Sequence, residues 1–249
     1  NTEDQEVTAV RYTRTFSSTQ AGKWQALCIP FSIDMESDDY VIGEILTFCP
    51  MKDTNGDGNI DGNDDNYLIV SPCKSGKTVA NVPYLIKPKK SGDIVFTAED
   101  CTLHAANAGE LHFSTTKTSY DIYGILQKPV TATPENKYYY MTSNGTISHR
   151  ETGSTTVKPN RWYMTVTKKS YGGVDNEEPS SFSSEVKIFT IGEDMDEETA
   201  IRLINGDHSS ANANKEGIYN LNGQLQSRLQ KGVNIVRKAD GSVLKLMVK

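Results

Sequence analysis

Apolar side chains in this chain recur at every second position, and that period narrows most sharply what the chain can become. In Arg161 to Thr167 (RWYMTVT), Trp162, Met164 and Val166 alternate with Tyr163, Thr165 and Thr167. In Lys23 to Ile33 (KWQALCIPFSI), Leu27, Ile29, Phe31 and Ile33 fall on one side and Trp24, Ala26 and Cys28 on the other. A period of two sends alternate side chains to opposite faces of a strand, so apolar groups on both faces predict an interior strand. Further strands read over Val10 to Phe16, Val41 to Phe48, Tyr67 to Val70, Thr78 to Lys87, Asp93 to Thr97, Cys101 to Ala105, Ser119 to Gln127, Lys137 to Thr142 and Glu185 to Ile191. Pro83 within Thr78 to Lys87 predicts an edge or a bulge. Asn144-Gly145 predicts a hairpin turn and explains the Asn-Gly-Thr triplet without glycosylation. Short strands with turn signals between them, and almost no helical periodicity, predict an all-β fold. The expected architecture is a β-sandwich with jelly-roll or Ig-like layers.

The 249 residues suffice for one large core plus a small unit. The reading places a main β-sandwich domain over 1–193, an acidic then polar linker over 194–216, and a small C-terminal β module over 217–249. Three strands are expected in that module (GIYNLNG, KGVNIVRK and VLKLMVK), with turns at Asn222-Gly223 and Asp240-Gly241. Residues 215–249 carry a local net charge of +5 within a chain of net −6, an asymmetry that marks a separate unit. The acidic total argues against nucleic acid as the main partner. No apolar run approaches the length of a membrane span. A first residue of Asn1 rather than Met is expected of a processed or trimmed N-terminus.

One stretch has the composition of a site. Asp53, Asn55, Asp57, Gly58, Asn59, Asp61 and Asp64 occupy positions 1, 3, 5, 6, 7, 9 and 12 of a calcium loop. Calcium is a hard cation that takes six to eight oxygens, which this loop can present. The candidate ligands are Asp53, Asn55, Asp57, Asn59, Asp61 and Asp64. Two features depart from the helix–loop–helix pattern. Position 12 is an Asp rather than the longer Glu, and both flanks read as strands, so the loop would cap a β-hairpin. Five aspartates between Asp53 and Asp65 repel one another. Either a bound cation or plain solvation relieves that repulsion.

The four cysteines, Cys28, Cys49, Cys73 and Cys101, allow three full pairings. A Cys49–Cys73 bridge across the acidic hairpin would contribute about 3–4 kcal/mol if the strand register allowed it. The other reading, which we favour, is that all four are free and packed as small apolar groups. Among aromatic residues, Trp24, Tyr139 and Trp162 are candidates for stacking on sugar rings if their faces are exposed. Core rings with one polar tip at the surface are the competing and preferred reading. No HExxH, CxxC pair or GxSxG elbow is present. Ser75-Gly76-Lys77-Thr78 ends like a phosphate-binding loop, but Ser71 stands where its first glycine belongs. His104, His112, His149 and His208 fall in no metal or triad pattern, so no enzyme activity is expected.

The segments TRTF, KWQALCIPF, DTNGDGNID, VPYLIKPK, KYYYM and PNRWYMTV, in this order over residues 8–195, resemble an uncharacterised family of exported β-sandwich proteins of Bacteroidota-type bacteria described as adhesin-like. The tail GIYNLNGQLQSRLQKGVNIVRKADGSVLKLMVK resembles the C-terminal sorting-type β domain of the same bacteria. The resemblance implies a secreted or outer-surface location, export machinery engaging the tail, and a binding or adhesion role towards a host or glycan ligand. The expectation is a non-catalytic surface-binding protein with a calcium-stabilised acidic hairpin. The alternative is a carbohydrate-binding module of a glycan-capture system, marked by an exposed row of two or three rings. A hydrolase would need a deep cleft with converging His or carboxylate groups.

Overall fold

The structure, a computed structural model, describes residues 3–60, 64–105, 109–115, 117–168 and 185–194, together with the backbone of four C-terminal strands. All regular elements among the described residues are strands. In chain order they are β1 (Gln5–Phe16), β2 (Gln25–Leu27), β3 (Tyr40–Pro50), β4 (Asn66–Pro72), β5 (Tyr84–Pro88), β6 (Gly92–Leu103), β7 (Glu110–Ser114), β8 (Thr118–Ile125), β9 (Val130–Ala132) and β10 (Tyr139–Met141). There follow β11 (Ile147–Ser148), β12 (Thr155–Val157), β13 (Arg161–Lys168), β14 (Glu185–Val186), β15 (Ile188–Thr190), β16 (Gly217–Tyr219), β17 (Leu225–Gln226), β18 (Gly232–Arg237) and β19 (Val243–Val248).

Two sheets form the sandwich. One has five strands in the order β15-β4-β3-β5-β2, the other six in the order β14-β11-β10-β13-β8-β7. Their inner faces share one core: Trp24, Ile45, Phe48, Leu68, Val70 and Leu85 from the first side meet Tyr120, Ile122, Tyr139, Ile147, Trp162 and Met164 from the second. Each such side chain contributes about 1.5–3 kcal/mol when fully buried. The five-stranded sheet is covered on its other face as well. There the antiparallel β1–β6 ribbon packs Phe16, Ile94 and Phe96 against Leu27, Tyr40, Ile42 and Ile86. Further along, Cys49, Met51, Tyr67, Ile69 and Phe189 form a smaller cluster. Burial on both faces is why these strands are apolar at consecutive positions, as in Leu68-Ile69-Val70. A Cβ on Gly43 of β3 would lie 2.5 Å from Val70 Cγ1 and 2.8 Å from the Trp24 ring, so only glycine lets the indole reach the sheet.

The predicted face assignments for Lys23 to Ile33 match the packing, but the strand is shorter. Only Gln25–Leu27 pair as β2: the partner residue before Tyr84 is Pro83, which has no N–H to give, and Cys28 donates its own N–H to the Asn160 carbonyl. Leu27, Ile29, Phe31 and Ile33 still enter one cluster while Trp24 and Ala26 enter the other. Thr78 to Lys87 likewise contracts to β5, since Asn81 adopts a left-handed φ of 66° before Pro83. Asp93 to Thr97 and the first three residues of Cys101 to Ala105 belong to one strand, β6. Glu185 to Ile191 is two strands: β14 pairs with β11 in the six-stranded sheet, and β15 pairs in parallel with β4 in the other. The C-terminal strands form a four-stranded sheet, β17-β16-β18-β19, with the short β17 added to the three expected. The predicted linker lies outside the described residues, apart from residue 194.

Candidate functional site

The acidic loop caps the β3–β4 hairpin, whose last pair is Pro50 with Asn66. Its side chains fold back on their own backbone. Asp53 Oδ1 accepts from Gly56 N–H at 2.6 Å and Oδ2 from Gly58 N–H at 2.9 Å. Asn55 Oδ1 accepts from Asp57 N–H at 2.9 Å, and Asp57 Oδ1 from Asn59 N–H at 2.8 Å. Gly56 and Gly58 have φ of 81° and 86°, which a side chain at either position would resist. Asp64 is 7 % exposed and closes the loop, its Oδ1 accepting from the N–H groups of Thr54 and Asn55 at 2.7 and 3.1 Å. Position 12 of the calcium pattern is therefore tied to positions 2 and 3 by hydrogen bonds. Asp61 lies outside the described residues. The oxygen donors suit a hard cation. Among the described residues, no three His, Cys, Asp or Glu side chains are grouped closely enough to hold a metal.

The hairpin register excludes a Cys49–Cys73 bridge. Cys49 lies opposite Tyr67, whereas Cys73 follows Pro72, which pairs with Gly43. At about 3.3 Å per residue the two thiols are some 20 Å apart along the strand, against the roughly 4–7 Å Cα separation a disulfide needs. All four cysteines are free. Burial pushes the Cys28 thiol up to about 12 and that of Cys49 up to about 11.

The three rings considered for sugar stacking are core residues. Trp24 is 5 %, Tyr139 4 % and Trp162 0 % exposed, so they are core rings, as the preferred reading had it, and they are not the stacking faces that the alternative needed. Trp24 Nε1 donates to Thr190 Oγ1 at 2.9 Å, and Trp162 Nε1 to the Tyr84 carbonyl at 2.7 Å. Burial, then the neighbouring Tyr120, pushes the Tyr139 hydroxyl up to about 12.

The alternate residues carry a different set of rings to the outer face of the six-stranded sheet. Tyr163 on β13 pairs with Tyr123 on β8 and with Tyr140 on β10, so three tyrosines form a row across three adjacent strands. Tyr163 stacks on Tyr123 at 5.2 Å between centroids, and Tyr138 tilts against Tyr163 at 4.6 Å. All four are half-buried. Among the described residues Tyr140 stacks on no other ring. Hydrogen-bonding groups border the row. Glu110 is opposite Tyr123; His112 and Thr165 are opposite Asp121, and His112 Nδ1 meets Asp121 Oδ1. Burial raises the Tyr163 hydroxyl, with Tyr138, Tyr123 and Glu110 adding to the effect. The alternation of β8 and β13 already points Tyr123 and Tyr163 away from the core. Only the cross-strand register brings them together with Tyr140, and register is not written in any one segment.

A cleft of about 490 Å³ opens elsewhere, beside Trp24, lined by Lys23, Lys52, Lys87 and Lys187 together with Glu193 and Asp194. Three of these six charges are engaged: Lys87 pairs with Glu193, and Asp194 Oδ2 accepts from Thr190 N–H at 2.6 Å. Compared with known proteins, the chain matches no family model, no curated protein and no solved structure.

Proposed function

We propose that this chain is a non-catalytic surface-binding protein whose ligand is a glycan, held on the outer face of the six-stranded sheet. The observation that carries the reading is the in-register row of half-buried tyrosines, Tyr140, Tyr163 and Tyr123. Tyr163 and Tyr123, held by neighbouring rings, lose little conformational freedom on binding, and each phenol of the row offers an apolar body with a hydrogen-bonding tip. The flanking Glu110, Asp121 and Thr165 add acceptors and a hydroxyl suited to sugar hydroxyls. This joins the adhesion reading to the carbohydrate-binding alternative, with Tyr140, Tyr163 and Tyr123 as the rings in place of the buried Trp24, Tyr139 and Trp162.

The same proposal includes three supporting parts. The loop at Asp53, Asn55, Asp57, Asn59, Asp61 and Asp64 takes calcium, which steadies the hairpin and does no chemistry. The protein is secreted or displayed on the outer cell surface of a bacterium of the resembled group. The basic tail over 217–249 engages export or attachment machinery. A glycan array with the whole chain tests the central part. Binding to at least one glycan class, reduced tenfold or more by Tyr163→Ala and Tyr140→Ala, is expected; array signals indifferent to both substitutions would reject the tyrosine face.

A further inference from the structure

The tyrosine row runs into a second cleft, of about 500 Å³, lined by Tyr140, Thr142, Thr155, Lys158 and Arg161 among others. It lies between the start of β13, the β10–β11 turn and β12. Arg161 is two residues before Tyr163 on β13, so both side chains project to the same side. Its lining differs from that of the cleft beside Trp24, where two carboxylates stand among the lysines. Among the described residues lining it there are two cations, several hydroxyls and no carboxylate. Arg161 donates from Nη1 to the Pro159 carbonyl at 3.1 Å, and Lys158 is exposed. Neither belongs to an ion pair among the described residues.

A third cation stands behind them. Arg14 precedes Thr15, itself part of the lining, and is 4 % exposed. Its Nη1 donates to the Ala26 carbonyl at 2.6 Å, its guanidinium lies 4.4 Å from the Phe16 ring centroid, and its Nε has no partner. No carboxylate pairs with it among the described residues. Burial first, and repulsion from Arg161 second, lower its pKa to about 9. Buried cations are ordinarily paired. Here positive charge is concentrated in a chain of net −6, at a place where an incoming anion would relieve the repulsion.

We propose that this cleft receives the negatively charged group, carboxylate or sulfate, of an acidic saccharide whose sugar rings lie along Tyr140 and Tyr163. The inference rests on the glycan reading above and adds the ligand's charge. The cleft supplies Arg161 for a planar anionic group and Lys158 as a mobile point charge. Threonine hydroxyls serve the uncharged oxygens.

The test is calorimetric titration of the whole chain with trigalacturonate, a sulfated galactose trisaccharide and neutral galactotriose. At least one acidic trisaccharide binds tenfold or more tightly than the neutral one, and its affinity falls as salt rises. The carboxylated and sulfated arms identify which anion the cleft takes. Lys158→Gln, at an exposed site, and Arg161→Gln each reduce the acidic preference severalfold while leaving neutral binding in place; Tyr163→Ala weakens acidic and neutral binding alike. Equal affinity for all three saccharides would overturn the charge assignment and leave the glycan reading standing. So would an acidic preference that survives both cleft substitutions, since the charge would then come from elsewhere, such as the basic tail. Binding of no saccharide at all would overturn both.

Discussion

Trp162 and Tyr163 are adjacent in sequence and separated by the thickness of a sheet. Trp162 is fully buried and donates to Tyr84 O across the sandwich. Trp162→Ala therefore removes a large core side chain and leaves that carbonyl without its partner. We expect a loss of about 3–5 kcal/mol in urea unfolding. Tyr163→Ala removes only cross-strand ring contacts and costs about 1 kcal/mol or less. That difference makes it a usable probe of binding. Gly43→Ala forces a methyl into Val70 and the Trp24 ring, and overpacking of this kind costs about 1–3 kcal/mol. The buried acids give a pH dependence of definite sign. Cys28, Cys49 and Tyr139 hold their protons more tightly folded than unfolded. Their contribution is intact below the unfolded values of about 8.5 for Cys and 10 for Tyr, and is lost as pH rises through the folded ones. Stability measured by denaturant titration should decline as pH climbs from about 9 to 12, more steeply than in a Cys28→Ala variant.

At the scale of elements, the β3–β4 hairpin supports both the core and the acidic loop. Asp64→Ala removes the carboxylate that ties the two ends of the loop together and should destabilise the protein by about 1–3 kcal/mol. If calcium binds there, melting temperature rises with added calcium, and a concentration one hundred times the dissociation constant stabilises by about 2.7 kcal/mol. The rise disappears in an Asp57→Ala, Asp61→Ala variant. An unchanged melting temperature at millimolar calcium would leave the loop a solvated hairpin tip. Elements are also where the sequence was partly readable. Alternation assigned the faces of Lys23 to Ile33 and Arg161 to Thr167 because burial leaves that mark locally. It overran at Pro83 and Asn81, where a missing donor and a left-handed residue interrupt pairing without changing the apolar pattern. It missed β7, β9, β11 and β12, of five residues or fewer, which are too short to display a period.

The whole molecule depends on pairings between distant segments. β1 lies against β6, and β15 returns to lie parallel to β4. Such partners cannot be read from any local stretch, and they determine which side chains meet. The acidic loop was visible in the sequence because its residues are contiguous. The tyrosine row was not, because Tyr140, Tyr163 and Tyr123 come from three strands joined only by register. The inner faces of the two sheets are filled by one shared core, and the proposed binding face is the outer side of the six-stranded sheet. Heteronuclear NMR of the whole chain titrated with trigalacturonate tests this most directly. The account predicts concentration-dependent shifts in the amides of Tyr140, Arg161, Tyr163 and Tyr123, with Trp24 and Ile86 unmoved. Shifts confined to the acidic loop or to the cleft beside Trp24, or none at a saturating concentration, would contradict it.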